Sequence, residues 1–163
     1  MIIPGNQNCD IRNIHWLEPE ASFSEGQDSE EANPLYYKTS SGAFKKRRLI
    51  TTGLNGHVIE WNLQTAIPKS KYNSHAAIWD SKMFGKYIYL ASEDGTIKIL
   101  KAKKTKIDFV RTLPKGEDKC LSVELITDNK SDPKSIVRSL YAGYADSSIR
   151  RWDLITGNSV LHF

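Results

Sequence analysis

Cysteine is nearly missing from this chain: among 163 residues only Cys9 and Cys120 carry a thiol. Two cysteines so far apart supply neither a disulfide framework nor the paired spacing of a zinc site. They suit a reducing compartment, the cytosol or the nucleus. Long apolar runs are absent too. None approaches the roughly 18–20 residues of a membrane helix, and the opening Met1-Ile2-Ile3, stopped by Pro4 and Gly5, is too short for a signal peptide and has no basic flank before it. No long stretch repeats its apolar residues at helical spacing. The marks of catalysis are missing as well. No nucleophile is paired with a base by spacing, no phosphate-cradling glycine loop appears, and His15, His57 and His162 are scattered singly. These absences lead us to expect a protein that is not an enzyme and that takes no metal, cofactor, small-molecule substrate or membrane.

The chain does contain 39% hydrophobic and 26% charged residues, enough apolar material for the core of one ordinary domain. A formal net charge of +4 tolerates an acidic partner without requiring one. The informative feature is a repeat. Leu49–Thr65 reads LITTGLNGHVIEWNLQT: an apolar strand, a tight Leu-Asn-Gly turn, then an alternating strand ending in Trp61-Asn62. Tyr89–Lys101, YLASEDGTIKILK, and Leu140–Leu154, LYAGYADSSIRRWDL, follow the same grammar. Aligning Asn55, Asp94 and Asp146 brings Trp61, Leu100 and Trp152 into one column, with spacings of 39 and 52 residues. The longer spacing holds the polar Thr127–Ser135 stretch with its proline, which reads as an inserted loop. A period near 40 with this turn and a Trp-Asp ending, Trp152-Asp153, is the pattern of WD repeats, four strands to each propeller blade.

The turn joins the second and third strands of a blade, where glycine or Asx relieves a positive φ. Gly56 and Gly95 follow the turn Asx directly, and Ser147 stands there in the third copy. The third strands alternate through Val58, Ile59 and Trp61, then Ile97, Ile99 and Leu100, then Ile149 and Trp152, so both tryptophans are expected as buried core aromatics rather than ligand-binding ones. First strands are placed at Asp10–Trp16, Ala76–Phe84 and Cys120–Ile126, and fourth strands at Ala66–Tyr72, Lys106–Leu113 and Ser159–Phe163. The fold expected is therefore all-β, an open arc of about three four-stranded antiparallel WD-repeat blades over 10–72, 76–113 and 120–163. Met1–Ile3 would end a fourth strand of another blade. Three blades cannot close a ring. The chain is thus expected to be a fragment, a truncated product, or a piece completed by another chain, with exposed apolar flanks.

The hydrogen-bonded set of Asp, His, Ser/Thr and Trp that WD repeats often carry is patchy here. The second blade offers His75 and Asp94, but Leu90 and Leu100 fill the hydroxyl and Trp places; the first offers Thr51, Asn55 and Trp61; the third has Asp146 and Trp152 without an upstream His. His75 is accordingly read as a structural loop histidine. From 18 to 44 runs an acidic insertion carrying Glu18, Glu20, Glu25, Asp28, Glu30 and Glu31 against Lys38, a composition that reads as a mobile loop between the first and second strands, either solvated or used as a docking segment or phosphorylation target. Two basic clusters follow. Lys45, Lys46, Arg47 and Arg48 resemble a short nuclear localisation signal, and they or the cluster of Lys101, Lys103, Lys104 and Lys106 could meet RNA phosphates or an acidic partner. The alternative is a set of solvated strand ends, since no aromatic platform is interleaved with them.

Three stretches resemble one particular family. The Ile11, Ile14, Trp16 strand, the Gly53–Gly56 turn followed by Glu60-Trp61, and Ile78-Trp79 leading to Glu93-Asp94-Gly95 are similar to blades near the N-terminus of the U3 small nucleolar RNA-associated protein 4 family, also called cirhin. The likeness covers most of the chain outside the acidic insertion and weakens after about Asp118. It implies tandem propellers and a non-catalytic scaffold of the small-subunit processome, supporting pre-rRNA transcription and processing toward 18S rRNA. It also implies a nuclear and nucleolar location, partners among other propeller and scaffold proteins, and pre-rRNA as a further contact. The other reading is a generic WD-repeat adaptor in signalling, trafficking or ubiquitin-ligase recognition.

Overall fold

The computed structural model describes residues 10–17, 36–38, 44–127 and 137–162. Fourteen strands appear in it: β1 Ile11–Leu17, β2 Tyr36–Lys38, β3 Phe44–Lys46, β4 Arg48–Gly53, β5 His57–Asn62, β6 Ile67–Asn73, β7 Ile78–Phe84, β8 Tyr87–Ser92, β9 Ile97–Ala102, β10 Ile107–Thr112, β11 Cys120–Thr127, β12 Val137–Tyr144, β13 Ile149–Asp153 and β14 Ser159–His162. They form three four-stranded antiparallel sheets, β1-β4-β5-β6, β7-β8-β9-β10 and β11-β12-β13-β14, and the small pair β2-β3. The all-β architecture of three sheets in an unclosed arrangement is the one expected. The expected strand at Met1–Ile3, residues 18–35 and 39–43 of the acidic insertion, and the loop at 128–136 lie outside the described residues.

One difference concerns that insertion, read from composition as a loop. Its C-terminal part pairs instead, Tyr36 with Lys46 and Lys38 with Phe44. Tyr36 and Tyr37 favour strands.

The repeat is visible as register. Leu49 pairs with Trp61, Ile88 with Leu100 and Leu140 with Trp152, the same offset in all three sheets. At each turn an Asx side chain caps the backbone: Oδ1 of Asn55, Asp94 and Asp146 accepts from the N–H of His57, Thr96 and Ser148 at 3.0, 3.0 and 2.9 Å. The residue before each Asx then donates to the residue just ahead of the innermost strand of its own sheet. Leu54, Glu93 and Ala145 bond the carbonyls of Asp10, Ala77 and Lys119 at 3.0, 2.9 and 3.0 Å. The next residue in each turn is left-handed, with φ of 76° at Gly56, 80° at Gly95 and 68° at Ser147. A Cβ on Gly56 would lie 2.7 Å from the Ala76 carbonyl oxygen, so glycine is required there for space as well as for φ. At Ser147 the serine bears the strain of an L residue at positive φ. Ser147→Gly is expected to raise stability by about 0.5 kcal/mol, the relief exceeding the added freedom of the unfolded chain; urea denaturation checks this.

Each sheet has two faces, and the columns show which neighbour each face meets. Leu100 lies in a core with Leu17, Ile50, Val58, Ile78 and Ile88, between the first and second sheets. Trp152 lies in a core with Tyr89, Ala91, Ile97, Ile99 and Leu140, between the second and third. The Trp61–Leu100–Trp152 column therefore faces the preceding sheet, and the Val58–Ile97–Ile149 column faces the following one. Burial follows. Val58 and Ile97 are 0% exposed, whereas Ile149, in the last sheet, is 49% exposed. Trp152 is buried as expected, but Trp61 is only half-buried. No described strand packs on the face that Trp61 shares with the exposed Ile14 and Trp16, which removes the neighbour that buries its two counterparts.

Candidate functional site

The repeat positions come first, because they decide which polar groups are structural. In the first sheet Trp61 Nε1 donates to Thr51 Oγ1 at 2.9 Å, joining the hydroxyl and Trp places named from the sequence. In the third, Trp152 Nε1 donates to Tyr144 OH at 3.2 Å. Asp153 caps the turn after its strand, accepting from the N–H of Ile155 at 2.7 Å and of Thr156 at 2.9 Å, which holds its carboxyl below the usual range. His75 is not brought to Asp94. It is exposed, left-handed at φ 59°, and capped through its N–H by Asn73 Oδ1 at 2.8 Å. Its place beside Asp94 is taken by Lys98, whose Nζ donates to Asp94 Oδ2 at 2.7 Å and to the Ser74 carbonyl at 2.8 Å. Arg150 stands in the same column and bonds Asp146 Oδ2 at 3.4 Å. Burial opposes ionisation of Asp94, but the hydrogen bonds from Lys98 and Thr96 outweigh it, so its carboxyl titrates lower than usual.

Further polar side chains tie the sheets to one another or lock strands within a sheet. Asp80, in the innermost strand of the second sheet, accepts from Asn13 Nδ2 at 3.0 Å and from the Val123 N–H at 3.0 Å, bridging the innermost strands of all three sheets. His15 and Thr52 both meet Ser81 Oγ, at 2.7 and 2.8 Å. Burial lowers the His15 pKa, partly countered by Asp80. Glu60 is sealed at 1% exposure, where its carboxylate takes Arg48 Nε at 2.8 Å, Arg48 Nη2 at 2.6 Å and Lys69 Nζ at 2.7 Å. For Asp80, Lys98 and Glu60 the sequence signal was a charge set directly against apolar strand residues: Asp80 after Ile78-Trp79, Lys98 between Ile97 and Ile99, Glu60 between Ile59 and Trp61. Cys120, the one described cysteine, is buried, which pushes its thiol up to about 12 and leaves it unreactive.

The two basic clusters, more than 50 residues apart in sequence, meet in space. The chain ends its strands alternately at two rims. The Asx turns crowd one; the other carries Arg48, the 62–66 and 103–106 turns, and the Gly85-Lys86 turn. On that second rim Arg48 Nη2 donates to the Lys103 carbonyl at 2.6 Å and Lys69 Nζ to the Lys104 carbonyl at 3.1 Å. The Ile107 N–H adds a bond to Ser70 Oγ at 3.1 Å. Lys103 and Lys106 share Asp108, at 2.5 and 2.9 Å, and hold its carboxyl below the usual range. Lys101 Nζ lies 5.2 Å from the centre of the Tyr87 ring. Lys104 is exposed and Arg47 is half-buried. Lys45 and Lys46 pair through their backbone with Tyr37 and Tyr36; their side chains lie outside the described residues. Among the described residues no group of three His, Cys, Asp or Glu could hold a metal ion, and no helix is long and apolar enough to cross a membrane.

No protein-family model matches the chain. Over 119 residues, 70% of its length, it is 29% identical to U3 small nucleolar RNA-associated protein 4 of Schizosaccharomyces pombe. It spans 16% of that protein's length. The resemblance carried by the strand motifs is thus met by direct comparison. Among solved structures, the crystal structure of RRP9 WD40 repeats matches with a TM-score of 0.63 over 100% of this chain and 41% of that one, at 12% identity. At that identity the match speaks for fold, and the fold is that of WD-repeat propeller blades.

Proposed function

We propose that this chain is a non-catalytic WD-repeat scaffold in ribosome biogenesis, working in the nucleolus within the small-subunit processome and supporting production of 18S rRNA. The observation that carries this reading is the 29% identity to a U3 small nucleolar RNA-associated protein across 70% of the chain, on blades of the matching fold. The polar groups support it too. Asp80, Asp94, Asp146 and Asp153 are engaged in capping turns or joining sheets, and Glu60 locks neighbouring strands of one sheet, the work of a framework rather than of acid–base chemistry. Its partners under this reading are other propeller and scaffold proteins. Tagging the full gene product in its own cells tests it: U3 small nucleolar RNA is expected to co-purify, and depletion is expected to lower 18S rRNA while sparing the large-subunit rRNA. A product confined to the cytoplasm, with normal 18S rRNA after depletion, overturns it.

A further inference from the structure

We infer that the rim formed by the 103–106 turn and the Arg48 strand end is one composite docking surface for the phosphate backbone of single-stranded RNA. The inference rests on charge geometry; only the choice of RNA over DNA rests on the ribosome-assembly reading. The first observation is convergence. Two lysine- and arginine-rich stretches that each look like an ordinary solvated strand end are clamped together by Arg48 on the Lys103 carbonyl and Lys69 on the Lys104 carbonyl. Tertiary structure therefore concentrates charge that the sequence spreads over two sheets.

The second observation is how the turn is held. Its contacts to the first sheet are made by backbone carbonyls, and Lys103 N–H closes on the Lys106 carbonyl at 2.8 Å. The ammonium groups of Lys103 and Lys106 make none of these contacts to the first sheet and, among the described residues, meet only Asp108 of the adjoining strand. Lys103 and Lys106 side chains are 55% and 65% exposed, and Lys104 is exposed beside them. The loop is thus preorganised while its cations stay in solvent, the arrangement that lowers the ordering cost of binding.

The third observation is the balance of charge. Glu60 is buried beneath Arg48 and Lys69, so its carboxylate is hidden from a ligand. Asp108 is shared by two lysines and neutralises one of them. Ion pairs open to solvent in this way contribute little and exchange readily for another anion.

Lysine is depleted at protein–protein interfaces, which depend on aromatic and apolar anchors. The aromatic ring among these cations, Tyr87, already lies under Lys101. A lysine-lined rim with its ring so engaged suits phosphates along a flexible strand rather than stacked bases or an acidic protein, and it predicts binding indifferent to base sequence.

The test uses the purified 163-residue chain and a fluorescent oligouridylate of about 20 nucleotides, with affinity read by anisotropy over a salt series. Each phosphate contact to a single strand contributes about 0.7 to the slope of log affinity against log salt. The triple variant Lys103→Gln, Lys104→Gln, Lys106→Gln is expected to lower the magnitude of that slope by about 2. The corresponding triple Arg variant is expected to keep it, and so is Lys119→Gln, which lies at the Asx-turn rim paired with Glu93. Single variants, each expected to remove about 0.7, cover the case in which the triple variant does not fold. An unchanged slope overturns the inference. So does a loss in Lys119→Gln equal to that of the single turn variants, about 0.7, which would make the binding a property of net charge alone. Displacement by polyglutamate at the same anion concentration as by polyphosphate overturns it in favour of an acidic protein partner.

Discussion

Leu100→Ala is expected to destabilise the chain by about 3 kcal/mol, measured by urea denaturation, because it empties the centre of the contact between the first two sheets. Leu100 is fully buried in a cluster with Ile50, Val58, Ile78 and Ile88, and its strand partner is Ile88. It stands in the column that holds tryptophan in the other two sheets. Restoring the pattern would not help. Leu100→Trp is expected to cost about 1–3 kcal/mol, since the cavity is shaped around leucine and a ring would displace β-branched neighbours that have little freedom to move. A Trp variant as stable as the original would mean that the interface between these sheets is loosely packed.

Arg48→Met is the second large effect, expected at about 2–3 kcal/mol near neutral pH. It strips the bidentate partner from Glu60 at 1% exposure and leaves Lys69 as the remaining cation. Burial by itself would raise the Glu60 pKa; the hydrogen bonds and charges of Arg48 and Lys69 reverse this and bring it below the ordinary value. The sign of the pH dependence follows. A carboxyl whose folded pKa is depressed stabilises the fold above its unfolded pKa, about 4.3, and loses that contribution as pH falls through the folded value. In Arg48→Met the folded pKa moves up, so the gap between variant and original is expected to be widest at neutral pH and to narrow below about pH 4. Adding Glu60→Leu to Arg48→Met is expected to recover part of the loss, because a buried unpaired carboxylate costs more than an absent one. A gap that stays constant down to pH 3 would show that Arg48 acts by packing its stem rather than by its charge.

Strands and repeat were legible in the sequence for a local reason. A two-residue apolar period, an Asx at each turn and a residue able to hold positive φ after it are short-range requirements, and they are met in all three copies, by Gly56, Gly95 and Ser147. The inner and outer strands at Ile11–Leu17, Ile78–Phe84, Cys120–Thr127, Ile67–Asn73 and Ile107–Thr112 could be placed once that hairpin was found, since four strands make a blade.

What tertiary structure alone decided is what each column meets. Trp61 and Trp152 occupy equivalent positions, yet one is half-buried and the other sealed, because burial belongs to the neighbouring sheet and not to the residue. His75 and Lys98 show the same thing for polar groups. His75 sits exposed in a loop, whereas Lys98 rises from β9 at the Asp94+4 place and donates to that carboxylate. The basic rim is the largest such case. Lys45–Arg48 and Lys101–Lys106 were each readable as a charged strand end, but no local pattern says that they share an edge. That depended on the arc of the sheets bringing the 103–106 turn under the Arg48 guanidinium, a contact across 55 residues that only packing of the first sheet on the second creates.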